Sequence, residues 1–567
     1  MKLPLVRIIS LCYSICEMKL KLLQRVDTDV LIIGGGGAGL RAAIEARKYN
    51  VDVLIVSKSR VGYGNNTAIS GAGFAAATGM RELQDTPGVY LRDTIVAGRF
   101  LNNQKLVEVL AEGSSQQVYD LVRFGARFRR RNGGFLIVPV PGHTYPRHVS
   151  GAKPLGTDFT LPLRQYALNE GIRFAEGILI IRLLKHGEMV NGAWGLDAKG
   201  NAYAFNAKTT ILSAGGMGEI FLRTNNAPGT TGDGYVLTYQ AGVPLQDMEF
   251  VQFYPTGMGK TGKQFWAYEI FLSRGATLRN SLGEDVLKRH GIKDFMVMTR
   301  DMLTRAIMFE ILEGRGINGT VAADLSPIPA DRRERLNVYI QEQRYLEKPF
   351  VAPTTHFMMG GAIIDESCQT VVQRLYAAGE VCGGVHGANR LAGNALTEVF
   401  VFGTIAGNNA AQKALKVERL PPSYSEIKAE TESLESWGEG GSEDIYHLHQ
   451  LLRETMWYKA GIIRSRDSLE EALEQVYSLK ERAKRAKVAD YSALVRAVKL
   501  DNMILVSEMI IRAALQRTES RGAHYRTDYP EENNNTWLKN IVISRTDEGM
   551  ALSTVPVALS KMAPQRV

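Results

Sequence analysis

At 567 residues the chain has room for about three to four domains of roughly 150 residues each, and its balance of 45% hydrophobic and 22% charged residues excludes a disordered or fibrous chain. The net charge of +9 is dispersed, and the runs Arg127–Arg131 and Lys480–Lys487 are short, so they read as solvated faces rather than a nucleic-acid surface; an anionic substrate or acidic partner is the remaining use for the charge. Four cysteines (Cys12, Cys16, Cys368, Cys382) are too few and too scattered for a disulfide scaffold or a cluster-binding set, and no metal site is expected.

The chain opens "MKLPLVRIISLCYSICEMKLKLLQ", where Lys2 and Arg7 precede a short apolar run. It resembles a weak signal peptide without a small-residue cleavage site, and Met18 offers a second start. No apolar run approaches the roughly 18 residues needed to cross a bilayer. A cytoplasmic protein is expected.

Next comes "DTDVLIIGGGGAGLRAAIEARKYNVDVLIVSK". Val30–Ile33 is a short buried-strand pattern, Leu40–Lys48 has helical composition, and Val51–Val56 reads as a second strand. Gly34, Gly36 and Gly39 therefore fall where a βαβ dinucleotide site needs them: for the tight turn, for the approach of a pyrophosphate to backbone N–H groups, and for helix-on-strand packing. Gly37 and Ala38 open the helix that faces the phosphates. Ser57 and Lys58 stand where an acid usually holds the ribose, which weakens an NAD reading and leaves FAD intact.

Three later glycine clusters favour FAD, a long cofactor that needs backbone contact at several separated points. They are "AISGAGFAAATG" with Ser70 and Gly71, "TTILSAGGMG" with Ala214 and Gly215 followed by "TGDG" with Asp233, and "RLYAAGEVCGG" with Glu380, a candidate for a ribityl or ribose hydroxyl. Strand signals fade from about Gly242 to about Phe350, and from about Pro421 to Arg521 the chain turns helical, as in "DSLEEALEQVYSLKERAKRAK".

These segments, with "DMEFVQFYPTG", "TRDMLTRAIMFEILEGRG", "PTTHFMMGG", "VHGANRLAGNAL" and "ESRGAHYRTDYP", resemble in order the succinate dehydrogenase/fumarate reductase flavoprotein family, of which L-aspartate oxidase is a close member. The resemblance runs from about Asp29 to about Leu538. It implies an α/β Rossmann-like FAD-binding domain (27–241 and 351–415) interrupted by an α+β capping domain (242–350), then a helical domain (416–525) and a C-terminal segment (526–567). It adds Thr67, Asn394, Ala395 and Leu396 to the cofactor contacts.

The implied chemistry passes a hydride between flavin N5 and one carbon of an alkene conjugated to a carboxylate, and a proton to the other carbon. Such a site needs cationic donors on the carboxylate, an acid at the carbanion-like carbon, and exclusion of water. By resemblance, Arg390 clamps the carboxylate bidentately, His356 meets the same substrate, and Arg300 is the proton donor. His386 is expected on cofactor or backbone, and pairing with Asp301 is the plainer use for Arg300.

Three departures stand out. Asn66 replaces the histidine that carries FAD covalently in some members, so FAD is expected to be held noncovalently. Tyr254 replaces a histidine that meets the second carboxylate, and a phenol cannot become cationic near neutral pH. The family's Thr-Glu pair and relay arginine align either as Tyr268, Glu269 and Leu272, or, with a two-residue gap, as Ile270, Phe271 and Arg274. A mono-carboxylate substrate is one reading of these changes.

The function implied is a flavoprotein subunit of a fumarate reductase/succinate dehydrogenase-like complex. Its electrons come from an iron–sulfur partner, and it meets the cytoplasmic membrane face only through partners. L-aspartate oxidase and an electron-transfer subunit with a vestigial pocket are the alternatives.

Overall fold

The computed structural model describes residues 20–564 except 154, 263, 266–267, 294–297, 332–348, 422–423 and 438–440. The leader with its two cysteines and Met18 lies outside the described residues, as do the side chains of Glu269 and Ile270.

Strand β1 (Lys21–Ile33), helix α1 (Gly37–Arg47) and strand β2 (Val53–Ser57) form the unit that the glycine spacing announces, with Val30–Ile33 pairing in parallel with Val53–Val56. They sit in a mixed sheet ordered Arg173–Glu176, β2, β1, Asn201–Leu212, Met189–Asp197, Ile178–His186. Leu375–Ala377 also pairs with Asn201–Leu212. Helix Asn394–Ala414 packs on α1 at very short range, because a Cβ on Gly407 would lie 2.2 Å from the Ala42 carbonyl oxygen. The sheet's carboxyl ends, the turn after β1 and the start of that second helix therefore converge.

A second unit has its own core. Strands Val251–Met258 and Phe350–Met358 pair antiparallel in a five-stranded sheet completed by Gln264–Phe265, Val321–Asp324 and Thr277–Arg279. Helix Arg300–Leu312 packs on it, burying Leu303 and Ile307 with Tyr254, Leu278, Val321 and Val351 in a cluster separate from the main core. Val251–Met258 is buried on both faces and contains Pro255, so it lacks the alternation by which a strand is read from sequence.

The chain leaves and re-enters the main sheet through adjacent segments. Leu245–Gln246 pairs with Gly361–Ala362 on one side and with Lys539–Thr546 on the other, and Lys539–Thr546 continues into the hairpin strand Gly549–Pro556. Helices Ile445–Lys459, Arg466–Ala483 and Tyr491–Gln516 form the helical part; the second begins at a reciprocal Ser465–Ser468 cap. Beneath the junction lies a buried ionic cluster. Arg517, 0% exposed, contacts Glu249 at 2.6 Å and Glu519 at 3.1 Å, and Arg521 contacts Glu519 at 2.7 Å. Among the described residues, no helix is long and apolar enough to cross a membrane.

Candidate active site

One cavity of about 1580 Å³ runs from the turn after β1 to the cap, larger than the roughly 300–1,000 Å³ of a drug-sized ligand site. Its shape depends on glycine. Gly34 has φ +121°, and a Cβ there would lie 2.2 Å from the Ser213 carbonyl oxygen; a Cβ on Gly216 would lie 2.1 Å from Glu380 Oε1. Gly35, Gly36, Gly37 and Ala38 line the cavity at the N-terminus of α1, whose N-cap Gly36 offers no side-chain cap. Gly393, at φ +87° and equally capless, starts Asn394–Ala414 with Ala395 and Leu396 on the same cavity. Two uncapped helix N-termini beside a glycine-lined trough suit the pyrophosphate and the electron-rich ring edge of a flavin dinucleotide.

Most of the sequence-derived cofactor set lies on this wall: Ser57 and Lys58, the stretch of Asn66, Thr67, Ser70 and Gly71, then Ala214, Gly215, Asp233 and Glu380. Lys58 pairs with Asp233, which also accepts from Asn502 at 3.0 Å and Thr231 at 3.0 Å. Two residues do not line it. Gly39 packs beneath the turn, where a Cβ would lie 2.0 Å from the Gly34 carbonyl oxygen. The Asn394 side chain turns inward, accepting from Tyr90 at 2.9 Å and donating to Thr94 at 3.1 Å. Lys499, from helix Tyr491–Gln516, reaches the same wall and has no sequence signal.

Asn66, Glu380 and the cap strand are joined. Asn66 Nδ2 donates to Glu380 at 3.1 Å and Asn226 at 2.8 Å, while its Oδ1 accepts from Ala227 N at 2.9 Å. Glu380 also accepts from Met358 N at 3.1 Å, and burial raises its carboxyl to about 7.

At the other end Tyr254, Arg274, Arg300, His356 and Arg390 line the cavity together. Arg390 is 5% exposed; Nη2 donates to Gln252 at 2.8 Å, Nη1 to the Leu391 carbonyl at 3.0 Å, and Nε has no partner among the described residues. Burial and the nearby Arg300 charge pull Arg390 down to about 9. Arg300 begins its helix with its guanidinium 5.4 Å from the Tyr254 ring centre. Asp301 is engaged elsewhere, by Arg305 at 3.1 Å and Asn389 at 3.0 Å. His356 sits 5.6 Å from the Tyr254 ring, and burial with the charges of Arg390 and Arg300 holds it well below its ordinary pKa, so it is a neutral partner and not a cation.

One of two alignments left open is favoured here, and one sequence reading changes. Arg274, not Leu272, reaches the cavity, because Leu272 and Phe271 are buried in the cap's apolar cluster. His386 does not line the cavity; its Nε2 lies 2.9 Å from Glu398, both side chains being about 1% exposed. The deep apolar setting of its loop buries the pair under Phe357.

Comparison with known proteins agrees with this geometry. Residues 29–396 match the FAD binding domain family and residues 449–567 the fumarate reductase flavoprotein C-terminal family. An uncharacterized FAD-dependent oxidoreductase of Methanocaldococcus jannaschii is 38% identical, over 91% of this chain and 96% of that protein. A component of the CoM/CoB fumarate reductase of Methanothermobacter marburgensis is 37% identical, over 92% of this chain and 98% of that protein. Mycobacterium smegmatis Sdh1 in complex with UQ1 superposes with a TM-score of 0.87 at 34% identity, over 96% of each chain. The chain is an FAD-dependent oxidoreductase and belongs to the fumarate reductase/succinate dehydrogenase flavoprotein family.

Proposed function

We propose that this flavoprotein reduces the carbon–carbon double bond of a small unsaturated dicarboxylate, with FAD held noncovalently. The observation that carries the reading is the meeting of three guanidiniums, Arg274, Arg300 and Arg390, on one cavity next to the glycine trough. Their charge favours a dianion over an ammonium-bearing acid such as aspartate, and their retention speaks against a vestigial pocket.

Bound FAD supplies the two-electron carrier. Arg390 holds one carboxylate through donors it has not spent on Gln252 and Leu391, and Arg274 meets the other, the task that Tyr254 cannot perform as a cation. Arg300 holds the proton for the alkene carbon. Positive charge is crowded there, so a proton leaves this cluster more readily than it leaves a guanidinium in water. Tyr254 and the cap's apolar cluster exclude water from the reacting carbons.

The division into a Rossmann-like FAD domain (27–241, 351–415), cap (242–350), helical domain (416–525) and C-terminal segment (526–567) belongs to the same proposal. So do an iron–sulfur partner and a place at the cytoplasmic membrane face through partners. The described cysteines, Cys368 and Cys382, are buried free thiols, which suits a cluster carried by another chain. Oxidation of a reduced viologen dye by fumarate tests the activity, with mono-carboxylate enoates as alternative oxidants; aspartate, an electron donor, is compared by its reduction of an oxidised dye. Turnover of enoates only, or of aspartate only, overturns the dicarboxylate reading.

A further inference from the structure

His356 enters the cavity from strand Phe350–Met358, and the segment behind it is zipped to that strand. Thr355 N donates to the Arg223 carbonyl at 2.9 Å, and Asn225 N to the Thr355 carbonyl at 3.2 Å. The zipper sets the Asn225 carboxamide against the back of the imidazole, with Oδ1 3.2 Å from Nδ1. Asn225 is 5% exposed, and its Nδ2 has no hydrogen-bond partner among the described residues. Its neighbour Asn226 is already committed, donating to the Thr355 and His356 carbonyls at 3.2 and 3.1 Å.

A neutral imidazole carries one N–H, and the group against Nδ1 decides which nitrogen has it. With a carbonyl oxygen there, Nδ1 keeps the proton and Nε2 turns a lone pair toward the cavity, where it repels a carboxylate oxygen. A half-turn of the carboxamide exchanges its oxygen and nitrogen within nearly the same shape. It gives the unpartnered N–H an acceptor, gives up a long 3.4 Å contact from Asn226, and leaves a carbonyl oxygen unmet, the cheaper of the two groups to strand. Among the described residues, the charged and titratable groups set against the imidazole include Arg300, Arg390 and the Tyr254 ring.

We propose that Asn225 is a positioning residue for His356: with a carboxylate in the cavity its Nδ2–H donates to Nδ1, and the Nε2–H thereby fixed donates to that carboxylate. The inference rests on the carboxylate reading of the site and names the group that makes an uncharged histidine useful in it.

Asn225→Asp is the test. The carboxylate can only accept, so it holds the proton on Nδ1, and Nε2–H survives only while the imidazole is doubly protonated. Binding of malonate to the flavin-loaded protein, followed by the flavin absorbance change, is measured from about pH 5.5 to 8.5. The ratio of N225D to wild-type Kd is expected to rise with pH, by up to about tenfold per unit, as one proton is linked to binding. Asn225→Ala removes the donor without adding charge and is expected to weaken binding about two- to tenfold by the same factor at every pH. A flat N225D ratio overturns the proposal, and so does an unchanged Kd for N225A should the Asp variant fail to fold. Wild-type protein that binds malonate but reduces no enoate would remove the activity reading and leave this one standing on its own data.

Discussion

Replacing Arg390 by Gln tests the carboxylate clamp most directly. The guanidinium has five N–H donors. Two are spent at 2.8 and 3.0 Å on Gln252 and Leu391, and the buried Nε–H has no partner among the described residues, so donors remain for a planar anion. Removing one side of a buried, hydrogen-bonded charge pair costs about 3 to 5 kcal/mol, roughly 10²- to 10⁴-fold in kcat/KM. The flavin should stay bound, because Arg390 lies at the cap end of the cavity and outside the glycine trough. Steady-state oxidation of a reduced dye over a range of fumarate concentrations, with flavin content measured on the same sample, gives the number. R390Q with full flavin and a kcat/KM within twofold of wild type would refute the clamp.

Four further outcomes follow from the same geometry. Arg300→Lys should reduce turnover at least a hundredfold, a general-acid contribution of about 10² to 10⁴, with flavin content unchanged. Denaturation in acid should release all the flavin into the supernatant, since the amide of Asn66 is committed to Glu380, Asn226 and Ala227 and has no nucleophile to offer; flavin that pellets with the protein contradicts this. Arg517→Met strands the buried carboxylate of Glu249, leaves Glu519 with Arg521 alone, and should destabilise the fold by about 3 to 5 kcal/mol, read as a lowered urea midpoint. Asp247 is pushed up to about 8 by burial and by Glu249, against about 4 in an unfolded chain, so the folded state holds the extra proton between these values. Stability should therefore fall as pH rises from about 4 to 8, and Asp247→Asn should flatten that slope in urea midpoints taken across the window.

The glycine trough was legible because much of its constraint is local. Gly34 takes φ +121° in the turn after β1, and Gly39 packs on the Gly34 carbonyl within the same βαβ unit, although Ser213 also crowds Gly34 from outside it. Arg300, His356 and Arg390 come from a helix start, a strand and a loop far apart in the chain, and only the ordered motifs around them, not spacing or periodicity, marked them as one site. Lys499 reaches the cavity, and Asn225 the back of His356, through tertiary packing, and neither has a signature of its own; Arg274 stood in one of two alignments the motif left open. His386 and Asn394 were misplaced for the opposite reason. The stretch that holds them mixes cavity-lining and core-facing residues, and a motif records both without saying which way each side chain turns. The strand Val251–Met258 was hidden by being buried on both faces.

The latch between Lys539–Thr546 and Leu245–Gln246 has a consequence for assembly. Every residue lining the cavity, through Lys499, precedes Lys539–Thr546 in the chain, and the two roots of the cap pair directly with each other. A growing polypeptide can therefore form all the walls and join the roots before that strand is added at their edge. The strand that finishes the fold thus braces one root of the cap from its outer edge, around walls the earlier chain has already supplied.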